Sequence, residues 1–549
     1  MKLKIAVFML SLVLLTSGFG GCGNDNGKDN GEKIVASYIR EDENGDISLY
    51  VDGKPFLYTA VEMRSEAYYN LKDIKTTEEY DKYFKAAADL GVTVVTCSLD
   101  WRDVEPNKDE YDFSHLRTFL GFAKKYDLKL ELLWYSACMC AYSQEFQLPD
   151  YIIEDAKTYP RYAFSDGREY SEKQAAYYGK QYLLKLDCKE FLERESKVIA
   201  AMTDYIYEWE EAYGFPKVLI GVQVYNEVDL LLDEARQNSY GFYFADANTT
   251  PDKIWSELLV GMNNAGKGFK NGRYSVYTRT NFTSIKNGDY SGRTESSKFL
   301  DAYNLQYIDA VGMDPYVFDP MALTTLIRAS KNLMKNNFTH FAENGGEYSN
   351  TDALIMLSLS QKCGYTIYEL ARCKGFPDVN NDQGILNPDL EDKYNSSTGN
   401  YTSHTTDNYT QRARGVLNAL KSLSSVVTQA KTENFAVFNV LTPFAKENYS
   451  QQIMLSHVGV KFVTNSFACG FAIEYEGCLY LYSTAECRFE FTENSINEVF
   501  VSDNTGKDAR WEKSEINGNV LSFGKDRIYK LSLTENVTYE STANDYKGY

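Results

Sequence analysis

Eight short β-like runs separated by helical or loop stretches between residues 46 and 428, then closely spaced short strands from residue 430, predict an α/β chain: a (β/α)8 barrel followed by a C-terminal antiparallel β-sandwich. Two acidic residues each close one of the early runs, Glu227 in Ile220-Gly-Val-Gln-Val-Tyr-Asn-Glu227 and Glu343 in Phe338-Thr-His-Phe-Ala-Glu343. In a parallel barrel all strand ends meet on one face, so residues far apart in the chain converge there. An open doubly wound sheet is the alternative architecture, but no glycine-rich phosphate fingerprint follows the first run.

At the N-terminus, Lys2 and Lys4 precede an apolar run from Ile5 to Leu15 that is too short to span a bilayer, the pattern of a secretory signal. Gly18, Gly20 and Gly21 lead into Cys22, and the polar stretch 23–31 follows. This start resembles that of a bacterial lipoprotein, with residues 1–22 as signal and Cys22 as the lipidated residue. A cleaved signal that merely contains a cysteine is the alternative. Residues 23–45 are then expected to be a linker. The resemblance implies export and a lipid anchor on a bacterial membrane, facing the periplasm or the cell exterior.

The barrel region, 46–428, reads as follows. Pro55 to Val61 is the first strand. Thr76-Thr-Glu-Glu79 is a capping box, Tyr80, Phe84, Ala87 and Ala88 repeat at helical spacing behind it, and Gly91 closes the helix. Val92 to Cys97, Leu128 to Trp134, Val218 to Val224, Tyr274 to Thr278, Ile308 to Met313, Phe338 to Ala342 and Tyr365 to Tyr368 supply the other seven strands. Leu230 to Asp252 and Pro377 to Asp407 are long connections expected to shape a cleft. Within 430–549, eight runs read as sandwich strands, from Asn434 to Leu441 through Ile528 to Leu533. Turn signals such as Glu476-Gly477, Asn504-Thr-Gly506 and Asn517-Gly518 separate them.

Composition narrows the partners. A formal net charge of −20 disfavours nucleic acid and anionic membrane surfaces, leaving a lipid anchor as the expected membrane attachment and neutral substrates, carbohydrate among them, open. Ten cysteines and four histidines occur without paired metal-ligand spacing, so no metal and no cofactor is expected. Cys363 and Cys373 form a possible disulfide pair.

The stretch Gly91-Val-Thr-Val-Val…Trp101-Arg-Asp-Val-Glu105-Pro106…Tyr111-Asp-Phe113 resembles the second βα unit of family 35 and family 42 β-galactosidases of glycoside hydrolase clan A. Lys54-Pro-Phe-Leu-Tyr-Thr-Ala-Val-Glu62 resembles their first strand and Leu130-Glu-Leu-Leu-Trp-Tyr-Ser136 their third. Val222-Gln-Val-Tyr-Asn-Glu227 is similar to the fourth, Asp309-Ala-Val-Gly-Met-Asp-Pro-Tyr316 to the sixth, and the run ending at Glu343 to the seventh. The resemblance implies a retaining β-glycosidase with Glu227 as acid/base and Glu343 as nucleophile, and Tyr316 as the residue that orients Glu343. Such chemistry needs two carboxyl groups about 5–5.5 Å apart, the acid/base holding a proton at the start because its partner is charged.

Asn226 is expected to bind the sugar 2-hydroxyl. Trp101, Trp134 and Tyr135 are either sugar platforms or plugs of the barrel mouth. Glu62, Arg64 and Asp100 either bind hydroxyls or form structural ion pairs. Glu347, in Asn344-Gly-Gly-Glu347, is the rival nucleophile. Two departures bear on substrate: Tyr225 stands where the relatives often have Glu in Glu-Asn-Glu, and Tyr365 and Tyr368 stand where the clan often has Trp. Tyr225 therefore remains a candidate substrate contact. It also keeps open a second reading, a surface glycan-binding lipoprotein without turnover, and a third is a purely structural surface protein.

Overall fold

The computed structural model describes residues 33–63, 77–136, 147–169, 182–227, 244–246, 248–283, 305–317, 319–331, 338–345, 350–368, 394–395, 400–401, 409–440, 449–465, 468–524 and 527–534. Cys22, Arg64, Glu347 and Cys373 lie outside them, as do most of the two long connections.

Eight parallel strands close into a barrel: β1 (Thr59–Met63), β2 (Val94–Asp100), β3 (Lys129–Tyr135), β4 (Leu219–Val224), β5 (Tyr277–Thr283), β6 (Ala310–Asp314), β7 (His340–Gly345) and β8 (Gly364–Tyr368). Neighbours in sequence are neighbours in space, and β8 pairs with β1. Every residue of β2 and β4 is buried, because lumen and helix layer cover both faces of the sheet. The helices run outside: α1 (Thr77–Leu90), α2 (Ser114–Lys125), α3 (Lys189–Ala212), α4 (Pro251–Asn271), α5 (Pro320–Lys331), α6 (Thr351–Ser360) and α7 (Tyr409–Ser422).

In α1, Tyr80, Phe84 and Ala87 are buried as the spacing predicts, Ala88 is only partly covered and Leu90 joins the stripe, and Phe84 is fully covered, a burial that stabilises by about 2 kcal/mol. Gly91 ends this helix at φ +96°, where a Cβ would stand 2.5 Å from Asn418 Oδ1. Thr250 caps α4 by accepting from the Lys253 amide, with Pro251 in the first turn.

Two expectations need correction at the closed end. The linker predicted for 23–45 already contains strands from residue 34. Ile34–Val35 pairs in parallel with Tyr274–Ser275, and Ser37–Glu41, Ile47–Val51 and Lys54–Pro55 form an antiparallel three-stranded sheet. Leu49, Val51 and Tyr58 pack on Ala60, Val94, Ile220, Tyr277 and Ala310, sealing the N-terminal end of the barrel. The Ser37 hydroxyl donates to the Ile220 carbonyl and accepts from the Tyr277 amide. Accordingly the first barrel strand starts at Thr59 rather than Pro55, and the fifth at Tyr277 rather than Tyr274. Pro55 belongs instead to the three-stranded sheet, and Tyr274 and Ser275 to the pairing with Ile34–Val35.

Among the described residues ten strands follow: β9 (Phe435–Val440), β10 (Tyr449–Met454), β11 (Gly459–Thr464), β12 (Ala468–Tyr475), β13 (Cys478–Ser483), β14 (Cys487–Phe491), β15 (Ile496–Asp503), β16 (Glu512–Ser514), β17 (Val520–Phe523) and β18 (Arg527–Leu533). They form antiparallel sheets in the orders β9-β12-β13-β18-β15-β16 and β10-β11-β14-β17. Phe438, Phe462, Phe489 and Phe523 interlock between them. The polar runs β10 and β16 carry too few apolar residues to have been read as strands. The sandwich joins the barrel's core through α6 and α7, with Asn504 Nδ2 donating to the Gly415 carbonyl at 2.7 Å.

Candidate active site

The backbone marks the site first. Of the non-glycine residues with positive φ, Tyr225 (61°), Glu227 (47°) and Tyr316 (44°) all sit just past the ends of β4 and β6. Each such residue costs about 1–3 kcal/mol and persists where neighbours over-determine it. Here the Tyr225 amide donates to the Trp134 carbonyl at 3.3 Å, and the Tyr225 carbonyl accepts from Gln223 Nε2 at 3.1 Å. The Glu227 amide donates to Asn281 Oδ1 at 3.0 Å.

Below this turn a polar network crosses the lumen. Glu131 on β3 and Arg279 on β5 are both fully buried and paired, with Nε to Oε1 at 2.6 Å. They reach each other past Gly221, where a Cβ would lie 2.4 Å from Tyr277 and 2.9 Å from Glu131. Tyr58 and Tyr277 donate their hydroxyls to the same carboxylate. Burial beside this charge pushes both phenols well above their ordinary range. Arg279 also donates to Gln223 Oε1, leaving Gln223 Nε2 to serve Asn226 Oδ1 at 2.7 Å and Asn281 Oδ1 at 2.9 Å. With its oxygen engaged, Asn226 presents its NH2 as the group that can meet a ligand.

Glu343 lies in a β-bulge between Phe341 and Asn344, and the irregularity re-aims side chains at the end of β7. Its carboxylate accepts from the Tyr316 hydroxyl, while Asn344 turns aside to accept from the Val317 amide and to donate to the Tyr365 hydroxyl. Tyr368 stands edge-on to Tyr316 at 5.7 Å. Asp314, the last residue of β6, is fully buried, and its Oδ2 accepts from Asn281 Nδ2 at 2.6 Å. Burial, then the charges of Glu343 and Glu227, raise its carboxyl well above the usual range. Three carboxyl groups from β4, β6 and β7 are thus brought together with Tyr316, Asn226 and Asn281.

Glu62, Asp100 and Tyr135 also take lumen-facing positions, at 4%, 2% and 2% exposure, on the ends of β1, β2 and β3. Trp101, Trp134 and Tyr225 require correction as sugar contacts. Trp101 and Trp134 are fully buried and stack on each other at 6.2 Å, against Phe191 of α3 and Phe269 of α4. Their indole N–H groups go to Glu105 and Glu195. Tyr225 is fully buried too, its hydroxyl 3.3 Å from Glu195 Oε2. Strand parity turns Trp134 into the layer between barrel and helices, Trp101 follows directly on the lumen-facing Asp100, and the left-handed backbone at Tyr225 turns that ring out of the lumen parity it shares with Gln223.

Sequence reasoning missed Glu131, Gln223, Arg279, Asn281, Asp314 and Glu195. A signal existed for most of them: a charged or amide residue at alternate positions of an otherwise buried run, as in Tyr277-Thr-Arg-Thr-Asn281, marks the lumen face. Glu195 gave none, because it lies on an amphipathic helix rich in acidic residues. Among the described residues, Cys188, Cys363, Cys478 and Cys487 are free thiols.

A family model described as a domain of unknown function (DUF4978) matches residues 258–443, from within α4 through β9. No curated protein sequence matches the chain. Among solved structures it is similar to a β-galactosidase from psychrophilic Marinomonas, at 11% identity and TM-score 0.45, covering 69% of this chain and 62% of that one. A GH30 endoxylanase from Clostridium papyrosolvens is similar at 11% identity and TM-score 0.43, covering 88% and 97%. A family 39 glycoside hydrolase from the gut symbiont Bacteroides cellulosilyticus is similar at 12% identity and TM-score 0.43, covering 91% and 88%. The chain thus spans less than two thirds of the β-galactosidase's length.

Proposed function

We propose that this chain is a retaining β-glycosidase acting on a neutral or weakly charged glycan, exported and held at a bacterial membrane through a lipid on Cys22. The observation that carries the reading is the convergence of Glu227 and Glu343 at the strand-end face, with the Tyr316 hydroxyl on Glu343 and both carboxylates acting on Asp314. In this reading Glu343 attacks the anomeric carbon while Glu227 gives its proton to the departing glycosidic oxygen. Glu227, now ionised, takes a proton from water, and the resulting hydroxide displaces Glu343 from the sugar. Asn226 donates to the 2-hydroxyl, a contact that strengthens as positive charge develops on the ring. β-Galactosides are the first substrates to try, with other β-pyranosides and larger glycan fragments beside them.

The binding-only reading draws its support from Tyr225 in place of an acidic residue. Tyr225 points at Glu195 and away from the lumen, so that substitution leaves the carboxylates described above in place. The test is hydrolysis of a panel of aryl β-glycosides and glycan fragments by wild type, Glu227→Ala and Glu343→Ala, with azide added to the variants. The expected products are a β-azide from Glu227→Ala and an α-azide from Glu343→Ala. Wild type and both variants equally inert across the panel would overturn the reading, and retained sugar binding without product would favour the binding protein.

A further inference from the structure

Asp314 has no role in the reaction just described, yet it is the most deeply enclosed acid of the site. The groups facing it come from every neighbouring element: Asn281 and Arg279 from β5, Glu343 from β7, Glu227 from the end of β4, and Tyr316 from its own strand end. Among these, Arg279 is the single cation, and its guanidinium is committed to Glu131 and Gln223. The Glu131–Arg279 pair is neutral as a unit. Among the described groups facing Asp314, no cation is left over to balance a second negative charge buried there beside an ionised Glu343. Like charges at such range disfavour joint ionisation strongly, as does removal from water. The hydrogen bonding agrees. Oδ2 accepts from the Asn281 amide, while Oδ1, buried and without a hydrogen-bond partner among the described residues, is the oxygen left to carry a proton.

We propose that Asp314 works as a neutral carboxylic acid beneath the two carboxylates, a positioning residue that adds no negative charge beside Glu343 and clamps Asn281, from which the Glu227 turn hangs. The clamp is specific: Asn281 gives its NH2 to Asp314 and uses its carbonyl for the Glu227 amide and Gln223, so losing Asp314 frees the amide to rotate. The direction of the Asp314 carboxyl's shift, upward from burial and from Glu343 and Glu227, agrees. The inference rests on the glycosidase reading for its kinetic consequences and not for the proton itself.

The experiment compares wild type, Asp314→Ala and Asp314→Asn on an aryl β-glycoside over pH, alongside infrared difference spectra of wild type minus Asp314→Asn. Asp314→Ala is expected to lower kcat at least about tenfold with KM changed less, and Asp314→Asn, neutral and of the same shape, to recover most of that loss. The basic limb of the kcat/KM profile of Asp314→Asn should stay within about 0.3 pH units of wild type, because no negative charge has been removed. A carboxylic-acid carbonyl band at neutral pH, absent in Asp314→Asn, is the expected spectrum. A basic limb displaced downward by about one unit or more would show that a charge was lost and overturn the proposal, as would the absence of the band. Asn no better than Ala would overturn the clamp as well. A wild type that turns over nothing would sink the glycosidase reading, and the infrared band would then decide Asp314 by itself.

Discussion

Replacing Glu195 by Gln offers a measurable consequence of how the turn before Glu227 is held. Glu195 is fully buried behind β3 and β4, where it accepts from Ser136 Oγ at 2.7 Å, Trp134 Nε1 at 3.2 Å and the Tyr225 hydroxyl. These donors favour the charged form, but burial outweighs them and the carboxyl is pushed up to about 7 from an ordinary 4.5. The folded value lies above the unfolded one, so between pH 4.5 and 7 the folded protein keeps a proton that the unfolded chain has lost. The stability it contributes is complete below pH 4.5 and is lost as pH rises to about 7. At roughly 1.36 kcal/mol per pH unit, that loss comes to about 3 kcal/mol.

The glutamine side chain of the Glu195→Gln variant has no proton to lose, so the variant-minus-wild-type difference in unfolding free energy should move in the variant's favour by about 3 kcal/mol across this window. Urea unfolding of both proteins at several pH values and constant ionic strength, followed by tryptophan fluorescence, reads this difference while the other carboxylates cancel. A difference that stays constant within about 0.5 kcal/mol would refute the argument, since a group free of desolvation cost has no such slope.

Arg279→Met should destabilise the fold by about 3–5 kcal/mol, because Glu131 is left as an uncompensated charge inside the barrel. Adding Glu131→Leu should recover much of the loss in the same urea assay. Tyr316→Phe removes a hydrogen bond to a charged group worth about 1.5–3 kcal/mol, so kcat/KM on an activated aryl glycoside should fall by about 10- to 100-fold with the unfolding midpoint little changed. An equal loss of stability would make Tyr316 a packing residue.

The sequence by itself determined the eight-strand barrel, the sandwich after it and the strand-end positions of Glu227 and Glu343. Runs buried on both faces are legible as apolar runs, and residues at or just past the C-terminal end of a parallel strand reach the common face whatever their neighbours do. Direction was another matter. Trp101, Trp134 and Tyr225 flank lumen-facing positions, and a shift of one residue exchanges lumen for helix layer. Tertiary contacts decided that shift, through the register change within β3 and β4, the bulge at Glu343 and the left-handed turns at Tyr225, Glu227 and Tyr316. The same holds at the barrel floor, where Ile34 pairs with Tyr274 and Ser37 of the sealing sheet bonds Ile220, each more than 180 residues away. It holds most of all for Asp314. An acid at a strand end is an ordinary feature of a sequence, and its character follows from Glu227, Glu343 and Arg279, which only the closed barrel brings around it.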